Sequence, residues 1–181
     1  MVRNSLFALL TLTAAGGDLR EARGTDAAVR ENELKAAYLF NFVKFVDWPA
    51  SAADEALTVC FIGGKGVYDA LADGIEAKRV GTRHLAMRVL EKTTSVQGCN
   101  VLYVEAAVEP DPSRVANVAE LPILTISDTK DFALNGGMIA MFTESNRLRF
   151  SINVGNAQKA GLRISSSLLQ LAASVERGGR S

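Results

Sequence analysis

The stretch VCFIGGKGVYDAL, Val59 to Leu71, decides the fold class. Val59, Cys60, Phe61 and Ile62 form a short apolar run that reads as a buried strand. Gly63, Gly64 and Gly66 break it, and Val67, Tyr68, Leu71 and Ile75 then recur at helical spacing. Glycine turns between a strand and a helix are where phosphates often sit, because the free N–H groups of a helix start attract anions. The spacing here argues against that use. A Walker loop needs four residues between its first Gly and Gly-Lys, with Ser or Thr after the Lys, whereas Lys65 is followed by Gly66. The dinucleotide fingerprint fails as well, since Gly64 and Gly66 lead to Asp69 or Ala70 where the third Gly belongs. The stretch reads as a tight strand-to-helix turn.

Outward from this unit the alternation continues. HLAMRVLE (His84 to Glu91), VLYVE (Val101 to Glu105) and PILTISD (Pro122 to Asp128) are strand candidates. Between the last two, SRVANVAEL (Ser113 to Leu121) has the spacing of a short helix. Strands alternating with helices predict an α/β fold with a mostly parallel sheet and helices on both faces. Upstream, ENELKAAYLFNFVKFVD (Glu31 to Asp47) predicts one long N-terminal helix, with Leu34, Tyr38, Phe42 and Phe45 at helical spacing. Only Lys35 and Lys44 are basic within it, which favours core packing over a membrane-surface helix. Pro49 stops it by disfavouring helical geometry at Trp48. Downstream, GGMIAMFTESNRLRFSINV holds two strands joined through Glu144-Ser145-Asn146 and predicts a C-terminal antiparallel hairpin. The chain closes with NAQKAGLRISSSLLQLAASVE, where Leu162, Ser165/Ser166, Leu169 and Ala172/Ala173 follow helical spacing.

A length of 181 residues fits one domain with a sizeable core. Lys plus Arg number 20 and Asp plus Glu number 20, so no summed charge draws the chain to nucleic acid or an anionic membrane. Arg3, the apolar run LFALLTLTAA and the small residues Gly16 and Gly17 read as a secretory signal peptide over residues 1–17. The run is too short to span a bilayer. The alternative is a frayed amphipathic start on a cytoplasmic protein. DLREARGTDAAVR, residues 18–30, is polar and weakly patterned and suits a flexible leader. The expected division is then a single α/β domain over residues 31–175 and a flexible tail over 176–181, with the protein in the periplasm.

Export gives meaning to the two cysteines, because an even number of Cys in an exported protein is more often a disulfide than a reactive pair. Cys60 lies in the first strand and Cys99 just precedes the run Val101 to Val104, so the two can face each other across neighbouring strands. A redox pair usually has Cys-x-x-Cys spacing, and a metal needs more ligands than two Cys and the single His84. The rest of the search for chemistry returns bland readings. No acid or nucleophile can be named beside His84, which reads as a surface or strand-edge residue. Ser165, Ser166 and Ser167 lack a Gly-x-Ser-x-Gly setting, and a helix N-terminal cap is the better account of at least one of them. Asp128 and Asp131 lie beyond a strand end, where α/β proteins often bind ligands, yet Asp residues flanking Thr129-Lys130 are commoner as turn formers. No catalytic residue, cofactor site or metal site is expected, and no enzyme can be argued.

The segments AAYLFNFVKFVDWP, TVCFIG, GCNVLYV and LTISDTKDFALNGGMIAMFTESNRLRFSINVGNAQKAGLRISSSLLQLA resemble the YfiR-type periplasmic regulators. The likeness runs from about Glu31 to Ala172. Its most specific part is the order Gly136-Gly137, Asn146, Phe150-Ser151-Ile152-Asn153, Gly161-Leu162 and Ser165 to Leu169. The resemblance implies a binding protein that restrains a membrane-anchored diguanylate cyclase through its periplasmic part, lowering cyclic di-GMP and so affecting biofilm behaviour. It implies an outer-membrane lipoprotein as a second partner, which sequesters the regulator. A homodimer stays open. The family also carries an intramolecular disulfide corresponding to Cys60 and Cys99. Better-known members hold a second Cys pair in the C-terminal half, and Ile139 to Asn153 contains none here, which counts against redox sensing by a second bridge. The alternative function is a periplasmic small-ligand sensor or a binding module of another signalling system.

Overall fold

The computed structural model describes residues 18–49, 56–91, 95–108 and 118–178. The expected signal peptide over 1–17 and most of the expected helix at Ser113 to Leu121 lie outside them. Helix α1 spans Asp18–Lys44. Strand β1 (Val46–Asp47) follows, then β2 (Ala56–Ile62), α2 (Lys65–Ala72) and a 3-10 turn at Ile75–Ala77. Next come β3 (Arg79–Val80), β4 (Arg83–Val89), β5 (Val101–Val104), β6 (Leu124–Ser127), β7 (Ile139–Glu144) and β8 (Arg147–Asn153). Helix α3 (Val154–Lys159), β9 (Arg163–Ile164), α4 (Ser166–Leu171) and β10 (Ser174–Glu176) complete the described chain.

The main sheet has eight strands in the order β10-β8-β7-β6-β5-β2-β4-β3. Its central run β4-β2-β5-β6-β7 is parallel throughout, and β7 and β8 form an antiparallel hairpin. The fold is α/β with a mostly parallel sheet, a hairpin and a long N-terminal helix. A separate pair, β1 with β9, ties the end of α1 to the C-terminal segment.

Alternation along the strands builds two cores. Leu57, Val59 and Phe61 of β2 join Val101 and Tyr103 of β5 in the larger one. All four described helices feed it, through residues such as Leu39, Phe42, Leu71, Ala157 and Leu168. Cys60 and Ile62 point the other way, into a smaller cluster with Leu90, Leu102, Val104, Val118 and Ile123. Beside it, Phe132, Ala133 and Ala140 pack together under the turns that link β6 to β7.

Four sequence expectations shift. Helix α1 starts at Asp18, so the stretch expected as a flexible leader is helical, with residues 24–30 exposed on every side. It also ends at Lys44 rather than Asp47, because Val46 and Asp47 pair with Ile164 and Arg163. The closing segment is not one helix. Gly161, at φ +72°, ends α3, and the chain passes through β9 before α4 begins. Finally Ser174–Glu176, placed at the end of the domain and the start of the tail, adds in parallel to β8 as an edge strand.

Candidate functional site

The parallel strands run from β2 to β4 on one side and then back across to β5 on the other. The order therefore reverses between β2 and β5, and open α/β sheets bind ligands in the crevice outside the carboxyl ends at such a point. Three segments meet there: Gly63-Gly64 after β2, Glu105 after β5 and Asp128 after β6.

The turn after β2 is built on a backbone that L side chains rarely adopt. Gly63 and Gly64 have φ of 71° and 68°. A Cβ on Gly64 would also lie 2.5 Å from Cε1 of Tyr103, so the phenol ring packs directly against the turn. Gly64 caps α2 without any side-chain acceptor of its own. Its N–H donates instead to Oε2 of Glu105 at 2.8 Å. A carboxylate of the chain thus fills the position at a helix start that a phosphate would take, and the glycine turn works as the tight connection read from its spacing.

Asp128 is more than a turn former. Its Oδ1 accepts the Ala106 N–H at 2.6 Å and its Oδ2 accepts from the Lys35 ammonium at 2.7 Å. Lys35 also bonds Glu31 one helical turn earlier, at 2.8 Å. The Lys35 and Asp128 side chains are only 13% and 12% exposed, so this pair fastens α1 to the carboxyl edge of the sheet largely out of water. Burial acts against the ammonium charge, but the bonds and charges of Asp128 and Glu31 outweigh it and hold the Lys35 pKa above the usual lysine value.

Tyr103 lies beneath this network, fully buried, and its hydroxyl stands near the Asp128 carboxylate without a well-formed hydrogen bond. Burial first, then the negative charge of Asp128 and the approach of the hydroxyl to its carboxylate, and then the charges of Glu105 and Glu31 push its pKa well above the ordinary phenol value. Beside the turn opens a shallow crevice of about 340 Å³, walled by Gly63, Gly64, Lys65, Tyr68, Asp69, Val89 and Glu105.

The residues singled out from sequence do not converge. His84 is exposed on β4, opposite Ala56 and Arg79. Ser165 caps α4, its hydroxyl accepting from the Leu168 N–H at 3.3 Å. Asp131 is exposed and supplies its carbonyl to the turn through Leu134 and Asn135. Cys60 and Cys99 are joined as a disulfide with Cα atoms 5.8 Å apart, on the other side of the sheet from the Lys35 network. Among the described residues, no group of three or more His, Cys, Asp and Glu is placed to hold a metal ion. Sequence reasoning missed Lys35, Tyr103 and Glu105. The available signal was positional: Glu105 and Asp128 are acids standing immediately after two buried strands, and Lys35 interrupts an apolar helix.

A family model described as YfiR/HmsC-like matches residues 32–173, from the part of α1 that packs on the sheet to the residue before β10. That span takes in the switch-point turn, the Lys35–Asp128 pair and both cysteines, and the chain belongs to the YfiR/HmsC-like family.

Proposed function

We propose that this chain is an exported regulatory binding protein that restrains a membrane-anchored diguanylate cyclase by contacting its periplasmic part, lowering cyclic di-GMP. Family membership over residues 32–173 carries the reading. Regulators of this type act on such a cyclase, and an outer-membrane lipoprotein sequesters them to lift the restraint. Two features of the molecule support it. The disulfide fits an oxidising compartment. The polar groups at the carboxyl edge are engaged with one another, Glu105 with the Gly64 N–H and Asp128 with Lys35, which suits a rigid binding scaffold better than a reacting centre. Among the described residues, no helix is long and apolar enough to cross a membrane. The test is genetic: deleting the protein raises cyclic di-GMP when the cyclase is present and leaves it unchanged when the cyclase is absent. An unchanged level in a strain carrying both overturns the cyclase reading.

The crevice at the switch point favours a second reading, a periplasmic sensor of a small ligand. Such a sensor raises its melting temperature in the presence of its metabolite, in proportion to the logarithm of ligand concentration once the site is saturated. A metabolite panel that leaves the transition in place removes this second reading.

A further inference from the structure

The two sulfurs of the disulfide sit in different surroundings. Cys60 is 0% exposed, in a strand flanked on both sides by β4 and β5. Its neighbours in the smaller core are apolar, Ile62, Leu102 and Val104 among them. Cys99 is 6% exposed and belongs to the turn that leads into β5. Arg88, in register with Cys60 on β4, reaches over to that turn. Its Nη2 donates to the Gln97 carbonyl at 2.7 Å and lies 3.1 Å from Sγ of Cys99. The Gln97 bond fixes the guanidinium where it faces one sulfur of the pair. The turn itself brings Ser95, Gln97 and Asn100, none of them charged, and Glu91 follows β4 as an exposed acid.

We propose that the disulfide is made and opened through Cys99, with Arg88 as the charge that holds Cys99 as a thiolate. In opening, an external thiolate attacks Sγ of Cys99. A bond forms between the external sulfur and Sγ of Cys99, the Cys99–Cys60 bond breaks, and the electron pair leaves on Cys60, which takes a proton in its apolar surroundings. A second external thiolate attacks the external sulfur of the mixed disulfide, giving a small-molecule disulfide and Cys99 as a thiolate beside Arg88. Two external thiols supply the two electrons. Closing is the reverse, with a small disulfide as the oxidant and Cys99 as the attacking thiolate.

The asymmetry slows the first step of opening. Attack at Cys99 expels Cys60, the poorer leaving group because, among the described residues, the Arg88 guanidinium hydrogen-bonds Cys99 and not Cys60; thiols of lower pKa leave faster. Attack at Cys60 would expel the better leaving group, but a strand inside the sheet is reached only by global opening, whereas a turn opens locally. For closing, each unit by which Arg88 lowers the Cys99 pKa raises its thiolate fraction by about tenfold, and lower intrinsic nucleophilicity takes back about threefold. The net gain is roughly threefold in rate per unit.

Two measurements test this. The intact, oxidised chain is exposed to glutathione, quenched with iodoacetamide at intervals and mapped by mass spectrometry. The first mixed disulfide carries glutathione on Cys99 and the alkyl group on Cys60; glutathione appearing first on Cys60, or equally on both, overturns the proposal. In a Cys60→Ala background, Arg88→Gln raises the pH of half-maximal Cys99 alkylation and slows its reaction with oxidised glutathione by at least about threefold, and Arg88→Lys restores most of both. An unchanged pH profile in Arg88→Gln overturns the role of Arg88, and the map on the native chain needs no substitution at all.

Discussion

Tyr103 and Lys35 show how single side chains at the carboxyl edge set stability in opposite senses. The Tyr103 hydroxyl is buried near the Asp128 carboxylate without a well-formed hydrogen bond, so the folded state bears most of the cost of its desolvation. Tyr103→Phe keeps the ring against Gly64 and stabilises the protein by about 1 kcal/mol at neutral pH, measured by urea unfolding. The sign of its pH effect follows from the raised pKa. Above the ordinary phenol pKa the unfolded chain loses the proton while the folded chain keeps it, so stability falls as pH rises, and Tyr103→Phe flattens that alkaline decline. Lys35 is raised as well, so its contribution is complete below the ordinary lysine pKa and is lost as pH climbs through the folded value. Lys35→Met leaves Asp128 with only the Ala106 N–H and costs about 2 kcal/mol at neutral pH, less than a fully buried pair because both groups keep some water. Parent and Lys35→Met unfolding free energies that stay equally far apart at strongly alkaline pH would count against the ion pair as the cause. The pairing itself was not legible in the sequence. Lys35 and Asp128 are 93 positions apart, and periodicity registers a lysine in an apolar helix only as an interruption.

Among the elements, those with a strong local pattern were legible and those defined by a partner were not. The hairpin turn falls at Ser145-Asn146, both with positive φ (49° and 59°), the backbone that a two-residue turn between twisted strands demands. The stretch after β8 misled because Leu162, Leu169 and Ala172 happen to keep a helical spacing. Gly161 and the serines outrank that spacing, one by ending α3 and the others by starting α4. Helix α1 shows the reverse case. Residues 24–30 carry no apolar stripe, yet they continue a helix already nucleated by its packed half, where adding a residue is cheap. Asn153 joins two elements at once: its Oδ1 accepts the Asn156 N–H at 3.0 Å, capping α3, and its amide donates to the Ala133 carbonyl at 2.9 Å. Being fully buried, it has no water to fall back on. Asn153→Ala therefore costs about 3 kcal/mol, against about 1 kcal/mol for Ser165→Ala at the half-exposed cap of α4. Equal losses for the two in thermal unfolding would show that Asn153 acts only as a cap.

At the scale of the whole molecule, strand–turn–helix alternation announced a parallel sheet, but strand order lay beyond it. Alternation fixes which elements exist, while the order depends on which side each crossover takes, and no local residue encodes that. The disulfide is where the two meet. With β5 beside β2, residue 101 pairs with residue 59, and Cys99 is carried to the smaller-core face of the sheet that also receives Cys60. The bridge closes a segment of 39 residues that contains α2, β3 and β4. In the chain-entropy view a loop of that length limits the unfolded ensemble enough to stabilise the fold by about 4 kcal/mol, an upper value when the unfolded chain keeps residual structure. The effect acts on the unfolded state, so the folded sheet should survive reduction. Replacing both cysteines by Ala is expected to lower the urea midpoint by an amount corresponding to about 2–4 kcal/mol while leaving the far-ultraviolet circular dichroism of the native state unchanged. A double variant that loses its sheet signal in the absence of urea would mean that the bridge positions β5 against β2 in the native state. The entropic account would then be the wrong one.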